Sequence, residues 1–491
     1  MNIKSTVNID EQLLNQRGYR QELQRGLSLW SSFAVGFATV SPVVGIYAVM
    51  SLAAIHMGPA WVWIVPICLL MQLLVALVYA ELASRYPLAG GCYQWVKYLG
   101  GARMGWFTGY LYLASALASL STVAYLGGFW LWLLLTGEAP AANAQVFSGF
   151  ILLLLGLFVN LLGINPLKYF VNAGILAEAI ASIGMGLLLL LFFRNHDFSL
   201  LLQGITSGEG TSLNGFLTAM AVGGWAFLGF DACSQVAEET RQAQKSTPRA
   251  ILRAITLVGL TVMLTAFAVT LSFEDTQGMV SGEVFDPVTP AVVNAFGQWA
   301  QTPFVAIVLI AFIACTVSIQ TYISRALFGM ARDKTLPAAS LLKQVDRRKV
   351  PFVAMLVATM IASAGLLLGL NATAVGTLIA FGSGGFYFVF LIVVSCALLA
   401  RLRGRLIDNA QTFNLGIWRW PVNLMAFFWL IFEAINIAWP RIELAPADAP
   451  WFQVWAVFLI FSILAVLGII YLLIYQPEKT LPRHKTQQIQ G

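Results

Sequence analysis

Charge is what this chain has least of. Asp, Glu, Lys and Arg make up only 10% of its 491 residues, against about 25% in soluble proteins. A water-facing surface cannot be built from that pool, which excludes soluble enzymes and nucleic-acid readers. Histidine is scarce as well. His56, His196 and His484 are the only three and no HExxH occurs, which argues against an intramembrane zinc protease. No Gly-Lys dipeptide occurs anywhere, so the chain lacks the GxxxxGK[ST] loop of a nucleotide-driven pump. The five cysteines, Cys68, Cys92, Cys233, Cys315 and Cys396, show neither CxxC nor histidine-paired spacing. Disulfides and a metal cluster are not expected from that spacing, and neither a metal nor a cofactor is called for.

What is present is apolar length. Hydrophobic residues are 59% of the chain, with 15 Trp and 33 Phe. Runs of about 20 apolar residues, each able to cross a hydrocarbon core roughly 30 Å thick, can be delimited twelve times. They are Leu27–Ala54, Trp61–Ser84, Met104–Leu135, Val146–Gly163, Tyr169–Phe193 and Asn214–Ala237, followed by Ile251–Phe273, Pro303–Ala331, Pro351–Leu370, Val375–Leu399, Val422–Trp439 and Trp451–Tyr475. The fold class is therefore an all-α polytopic membrane protein with the lipid bilayer as its solvent. The first 26 residues are polar and mixed in charge. They lack the short apolar core and cleavage site of a signal peptide, so the first span is expected to be retained.

The basic balance, +6 with a pI of about 9.1, has a topological reading. With the N-terminus cytoplasmic, 26 of the 28 Lys and Arg fall on the inner side and only Arg194 and Arg441 outside. Glu138, Asp197, Glu209, Glu274, Asp275, Glu283, Asp286, Glu443 and Asp448 fall in outer loops. That is the positive-inside bias, with both termini cytoplasmic. No nucleic-acid partner is implied.

Two spans are interrupted. The first holds Gly36, Ser41-Pro42 and Gly45; the sixth holds Gly223-Gly224 and Gly229. They lie five spans apart, at matching places in two five-span halves. Broken backbone in lipid survives only where protein or a water-filled cavity surrounds it, and paired broken helices point to a secondary transporter's substrate site. The other reading is that these residues kink or pack tightly crossed helices.

Carboxylates inside the membrane cost about 2.5–3.5 kcal/mol each on insertion scales, so each one needs a reason. Glu81 stands four residues before Arg85, as a structural ion pair or helix-end anchor. Glu433 falls outside the two halves, which suggests packing or an oligomer contact. Asp231 follows Gly229 in the sixth span and could receive a substrate amine, carry a proton or couple the gate; equally, it could tie down amides freed by the break. Glu178 has no Lys or Arg within four residues. It is a candidate for reversible protonation or a permanently protonated, hydrogen-bonded group. Trp225, Phe227 and Phe230 could shutter a site or simply pack.

Three stretches carry a resemblance. Glu81-Leu82-Ala83-Ser84-Arg85-Tyr86-Pro87-Leu88-Ala89-Gly90-Gly91-Cys92-Tyr93 is one; Asp231-Ala232 with Glu238-Glu239-Thr240 and Pro248-Arg249-Ala250-Ile251 is the second. Ser324-Arg325 with Ala331-Arg332-Asp333, Leu336-Pro337 and Val350-Pro351 is the third. In this order they resemble the amino acid–polyamine–organocation permeases over nearly the whole chain, most closely the amino acid, choline and γ-aminobutyrate branch. The resemblance implies twelve helices, with a 5+5 inverted repeat of LeuT-like fold, broken helices one and six, and two further helices. It implies an N-terminal arm over 1–26, repeats over 27–193 and 214–399, helices eleven and twelve over 421–475, and a tail over 476–491. By family analogy a substrate carboxylate meets the amides of Val43, Val44 and Gly45, and its amine meets carbonyls around Ser41 and Trp225–Gly229. Trp225 resembles the gating tryptophan of arginine/agmatine exchangers. The run Val43-Val44-Gly45 departs from the common Gly-small-Gly, and an acid stands at Glu178 where some relatives have a Lys. A sodium site using Ser318 and Thr321 is a lesser alternative, since hydroxyls mostly bond their own helix.

The sequence thus reads as a secondary transporter of the inner or plasma membrane, moving an amino acid or related amine by proton symport through Glu178 and Asp231. Substrate/product exchange is the alternative, and a non-transporting solute sensor ranks behind it. No nucleophile, base and metal constellation supports an enzyme.

Overall fold

The computed structural model describes residues 3–203, 212–281, 284, 286–406, 412–442 and 449–480. Glu209, Glu283, Glu443 and Asp448, assigned above to outer loops, lie outside the described residues, as do His484 and the tail cations Arg483 and Lys485.

Helix α1 (Ile3–Gln16) precedes the first broken pair, α2 (Leu29–Val40) and α3 (Pro42–Met57). Then come α4 (Ile64–Arg85), α5 (Gly91–Gly100), the 35-residue α6 (Ala102–Thr136), α7 (Ala142–Leu161), α8 (Ile164–Glu178) and α9 (Met185–Phe192). The second broken pair is α10 (Leu213–Gly223) and α11 (Ala232–Gln235). It is followed by α12 (Ala243–Ser272), α13 (Thr276–Ser281), α14 (Val288–Phe296), α15 (Gln301–Arg332), α16 (Ala339–Leu342) and α17 (Phe352–Leu366). The chain closes with α18 (Ala372–Leu402), α19 (Arg419–Ala438), α20 (Trp451–Val454) and α21 (Ala456–Tyr475).

Among the described residues, β pairing is limited to one parallel bridge, Leu27 with Thr240. Eleven helical segments among the described residues are long and apolar enough to cross a membrane. The first, Leu29–Arg85, runs 57 residues, about twice one crossing. It contains the first two expected spans, with a turn at Gly58 between them. The protein is all-helical and polytopic.

Local chemistry sets the ends. Ser28 caps α2 by accepting the Ser31 amide at 3.1 Å, and Ser212 caps α10 by accepting from Gly215 at 3.0 Å. Both satisfy amides that a helix start leaves orphaned. Gly137, left-handed at φ 77, ends α6, as helix C-termini favour. Packing then sorts the helices. α12 lies on α2 and α4, α15 on α6 and α8, and α18 on α6 and α19, so the broken pairs sit at the centre. α21 stands at the rim with only Gly468 buried, as suits a helix apolar all round and facing lipid.

The N-terminal arm is part of the packing: α1 and the residues after it lie against the bundle, burying Asp10, Leu14, Tyr19 and Leu23. Of the two roles open to Glu433, its burial fits packing: it is 0% exposed inside the chain, beside Asn436, Arg441, Cys68 and Tyr387.

Candidate functional site

The site begins at Ser41. Pro42 disfavours helical dihedrals at the residue before it and suits the first position of a new helix. Ser41 therefore sits between α2 and α3 at φ 51, ψ 104. A positive φ off glycine costs about 1–3 kcal/mol unless the surroundings hold it, and here three bonds do. Its amide donates to Phe37 O at 2.8 Å, its Oγ accepts from Val44 N at 3.2 Å, and its hydroxyl donates to Glu178 Oε1.

Glu178 also accepts the Val43 amide on Oε2 at 2.9 Å. The Gly45 amide donates to Ser41 O at 2.8 Å. The three amides expected to receive a substrate carboxylate are thus occupied in this conformation, one by Glu178 and two by Ser41. Glu178, 1% exposed, is the last residue of α8; a π-helical stretch, Ala179–Gly184, separates it from α9. Such wide turns cluster at functional sites, and the sequence reading did not anticipate this one. Cys315 of α15 faces the same carboxylate.

The second break lies opposite. After α10 a 3₁₀ turn, Gly224–Phe227, gives way to extended Leu228 (φ −87, ψ 149) and to Gly229 at φ 99. The two breaks touch: a Cβ on Gly45 would stand 3.3 Å from Ala226 Cα, and one on Gly229 would stand 2.7 Å from Thr39 Cγ2. Phe227 and Phe230 are fully buried, Phe230 against the rings of Tyr79 and Phe390.

Asp231 follows the break, 1% exposed, with neither carboxylate oxygen in a hydrogen bond. Tyr79, Tyr112, Tyr322, Cys92 and Cys233 surround it. The Tyr112 hydroxyl faces the carboxylate without reaching hydrogen-bond geometry. It does not hold the amides of the break; the neighbouring Ser234 amide donates to its backbone carbonyl instead, at 2.8 Å.

Between the breaks lies a cavity of about 30 Å³, walled by Thr39, Val40, Val44, Ser119, Val123, Trp225, Leu228, Gly229, Ile319, Tyr322 and Phe386. That volume accommodates about one water. Among the described residues, no Lys, Arg or His lines it. The Trp225 indole roofs it, held close to Gly382, where a Cβ would stand 3.1 Å from Cζ3. Of the two hydroxyls considered for sodium, Thr321 donates to Asn160 Oδ1 at 2.6 Å and Val317 O at 2.8 Å, whereas Ser318 Oγ is buried without a hydrogen bond.

The motif residues gather elsewhere, at the end of the bundle covered by the N-terminal arm. Arg332 pairs with Glu238 at 2.6 Å and Arg325 with Glu239 at 2.8 Å. Glu81 binds Arg85 at 2.8 Å and Arg401 at 2.5 Å. Asp333 accepts from Lys97 Nζ, from Tyr93 at 2.8 Å and from Tyr19 of the arm at 2.9 Å. These acids and bases tie α4, α5, α15, α18 and the loop after α11 into one floor of ion pairs and hydrogen bonds.

Residues 27–466 match the family described as amino acid permease. An uncharacterized amino-acid permease of Schizosaccharomyces pombe is 26% identical over 463 residues, covering 89% of this chain and 82% of the relative. The GABA-specific permease of Saccharomyces cerevisiae is 28% identical over 393 residues, covering 74% and 66%. The choline transporter of the same yeast is 25% identical over 444 residues, covering 86% and 77%. With the match running from the first broken helix into α21, the chain belongs to the amino acid permease family, within the amino acid–polyamine–organocation permeases.

Proposed function

We propose that this membrane transporter of amino acids or amines works by alternating access around the cavity between its two breaks, as a proton symporter. The observation that carries this reading is the meeting of two interrupted helices at a small cavity, with the buried carboxylates Glu178 and Asp231 beside them. In this reading twelve helices cross the inner or plasma membrane, both termini are cytoplasmic, and 27–193 and 214–399 act as inverted repeats. The Glu238, Glu239 and Asp333 floor is then the cytoplasmic gate, and Trp225 the gate over the substrate.

Glu178 is the first candidate for the coupling proton and Asp231 the second. Among the described residues no Lys or Arg pairs with Glu178, and a carboxylate in the membrane without a cation changes its charge by taking a proton. Its two partners keep it held in either state. A protonated Oε1 can donate to Ser41 Oγ while Oε2 still accepts from Val43.

The test is uptake of labelled solutes into proteoliposomes with an imposed pH gradient. Accumulation should follow an acidic exterior, and Glu178→Gln should carry solute to equilibrium without responding to the gradient. Unchanged gradient dependence in Glu178→Gln would remove it as the coupling group. Binding without uptake would remove transport.

A further inference from the structure

We infer that the solute is an organic cation that carries no carboxylate, and that Glu178 excludes the carboxylate. The inference rests on the transport reading above. The N-terminus of a helix is an anion site because its first amides have no helical partner and the helix dipole adds positive potential. In α3 those amides already have acceptors on the chain itself. Glu178 Oε2 holds Val43 at 2.9 Å, Ser41 Oγ holds Val44 at 3.2 Å, and Ser41 O holds Gly45.

A second anion has no place to go. Among the described residues, the cavity wall contains no Lys, Arg or His. Among the described residues the buried cations are engaged elsewhere: Lys97 with Asp333, Arg325 with Glu239, Arg332 with Glu238, Arg401 with Glu81, and Arg441 with Thr218 and Asn436. A zwitterion would have to bury its carboxylate without a partner, which is costly in low dielectric.

A cation meets the opposite surroundings. Trp225, Tyr322 and Phe386 present aromatic rings to the cavity, and ring faces attract desolvated cations. Ser119 Oγ, on the wall, is buried with no hydrogen bond. Behind Tyr322 stands Asp231, both of its oxygens unbonded, beside the equally unbonded hydroxyls of Tyr79 and Tyr112. Buried polar groups left unsatisfied in this way mark a missing partner. A cation drawn toward this group supplies the charge that Asp231 lacks.

Matched pairs test this with the full-length protein: choline against glycine betaine, agmatine against arginine, and ethanolamine against glycine. In each pair one member carries the carboxylate. Binding by thermal shift, which grows with RT ln(1 + [L]/Kd), and uptake into proteoliposomes should favour the carboxylate-free member by at least about tenfold in the pair the site accepts. Equal or better binding of the carboxylate member overturns the inference and leaves transport standing. Failure of all six solutes to be taken up or bound overturns both.

Glu178→Ala vacates the seat on α3 and should narrow the preference about tenfold, whereas Glu178→Gln keeps it filled and should preserve the preference. A preference unchanged in Glu178→Ala also overturns the inference. The ratio reads the seat even where a variant lowers overall activity.

Discussion

Glu178 Oε2 accepts the amide of Val43 at 2.9 Å, so a carboxylate at the end of α8 caps a helix that starts more than a hundred residues earlier in the chain. The same carboxyl receives the Ser41 hydroxyl. Removing it strands a buried amide at a strained turn. Glu178→Ala should therefore destabilise the protein by about 1–3 kcal/mol, the cost of an unsatisfied buried donor. Glu178→Gln, which keeps an acceptor for Val43, should lose well under half of that. Thermal unfolding in detergent orders the two. Equal losses would show that charge, rather than the amide bond, holds the turn.

Lys97 and Asp333 are a buried pair, at 1% and 0% side-chain exposure. Lys97→Met leaves Asp333 charged and buried without its lysine, among neutral donors that include the hydroxyls of Tyr19 and Tyr93 and the Gln94 amide. Breaking one partner of such a pair costs about 3–5 kcal/mol. Adding Asp333→Asn removes the stranded charge and should recover a large part of the loss. A double mutant no more stable than Lys97→Met would show that the lysine matters by packing alone.

The sequence made these two regions unequally legible. The all-helical, many-span character and the Ser41-Pro42 and Gly229 breaks are readable because hydropathy, proline and glycine act locally. The motif acids and bases were visible as residue types, but not their function as a lattice. Glu238 meets Arg332 and Glu81 meets Arg401 only after helices distant in the chain come together. Tyr19, Lys97 and the arm's contact with Asp333 were missed for the same reason. Glu178 stands out in the sequence for having no neighbouring cation, but its partners Ser41 and Val43 lie across the bundle. The occupied state of the Val43, Val44 and Gly45 amides could not be read from spacing.

The arm offers a pH test outside the membrane. Asp10 accepts the amides of Gln242 at 2.8 Å and Ala243 at 3.2 Å, beside Arg25 at 3.5 Å. Burial pushes its carboxyl above the ordinary 3.8, against the pull of Arg25 and those amides. The docked arm thus binds the Asp10 proton more tightly than the released arm, and docking strengthens as pH falls through the raised value toward 3.8. It weakens as pH rises through that value and is then constant. Hydrogen exchange across residues 10–25, corrected for intrinsic rates, should show protection increasing over that window in the native chain. The dependence should vanish in Asp10→Asn. A slope of opposite sign would mean that the bonds to α12 outweigh burial.

Gly229 separates two physical causes at one position. Its φ of 99 is disfavoured for a side chain, and an added Cβ would stand 2.7 Å from Thr39 Cγ2. Gly229→Ala should cost about 1–3 kcal/mol for the dihedral, with a further loss from the clash. Thr39→Ser removes the offending methyl while keeping the hydroxyl that donates to Val35 O at 2.7 Å. In the Gly229→Ala background it should recover only the clash, so the double mutant lies between the native protein and the single mutant. Full recovery would mean that the backbone tolerates a side chain and that contact between the breaks is the sole constraint. No recovery would assign the whole cost to the left-handed turn, and with it the requirement for glycine where the second helix opens.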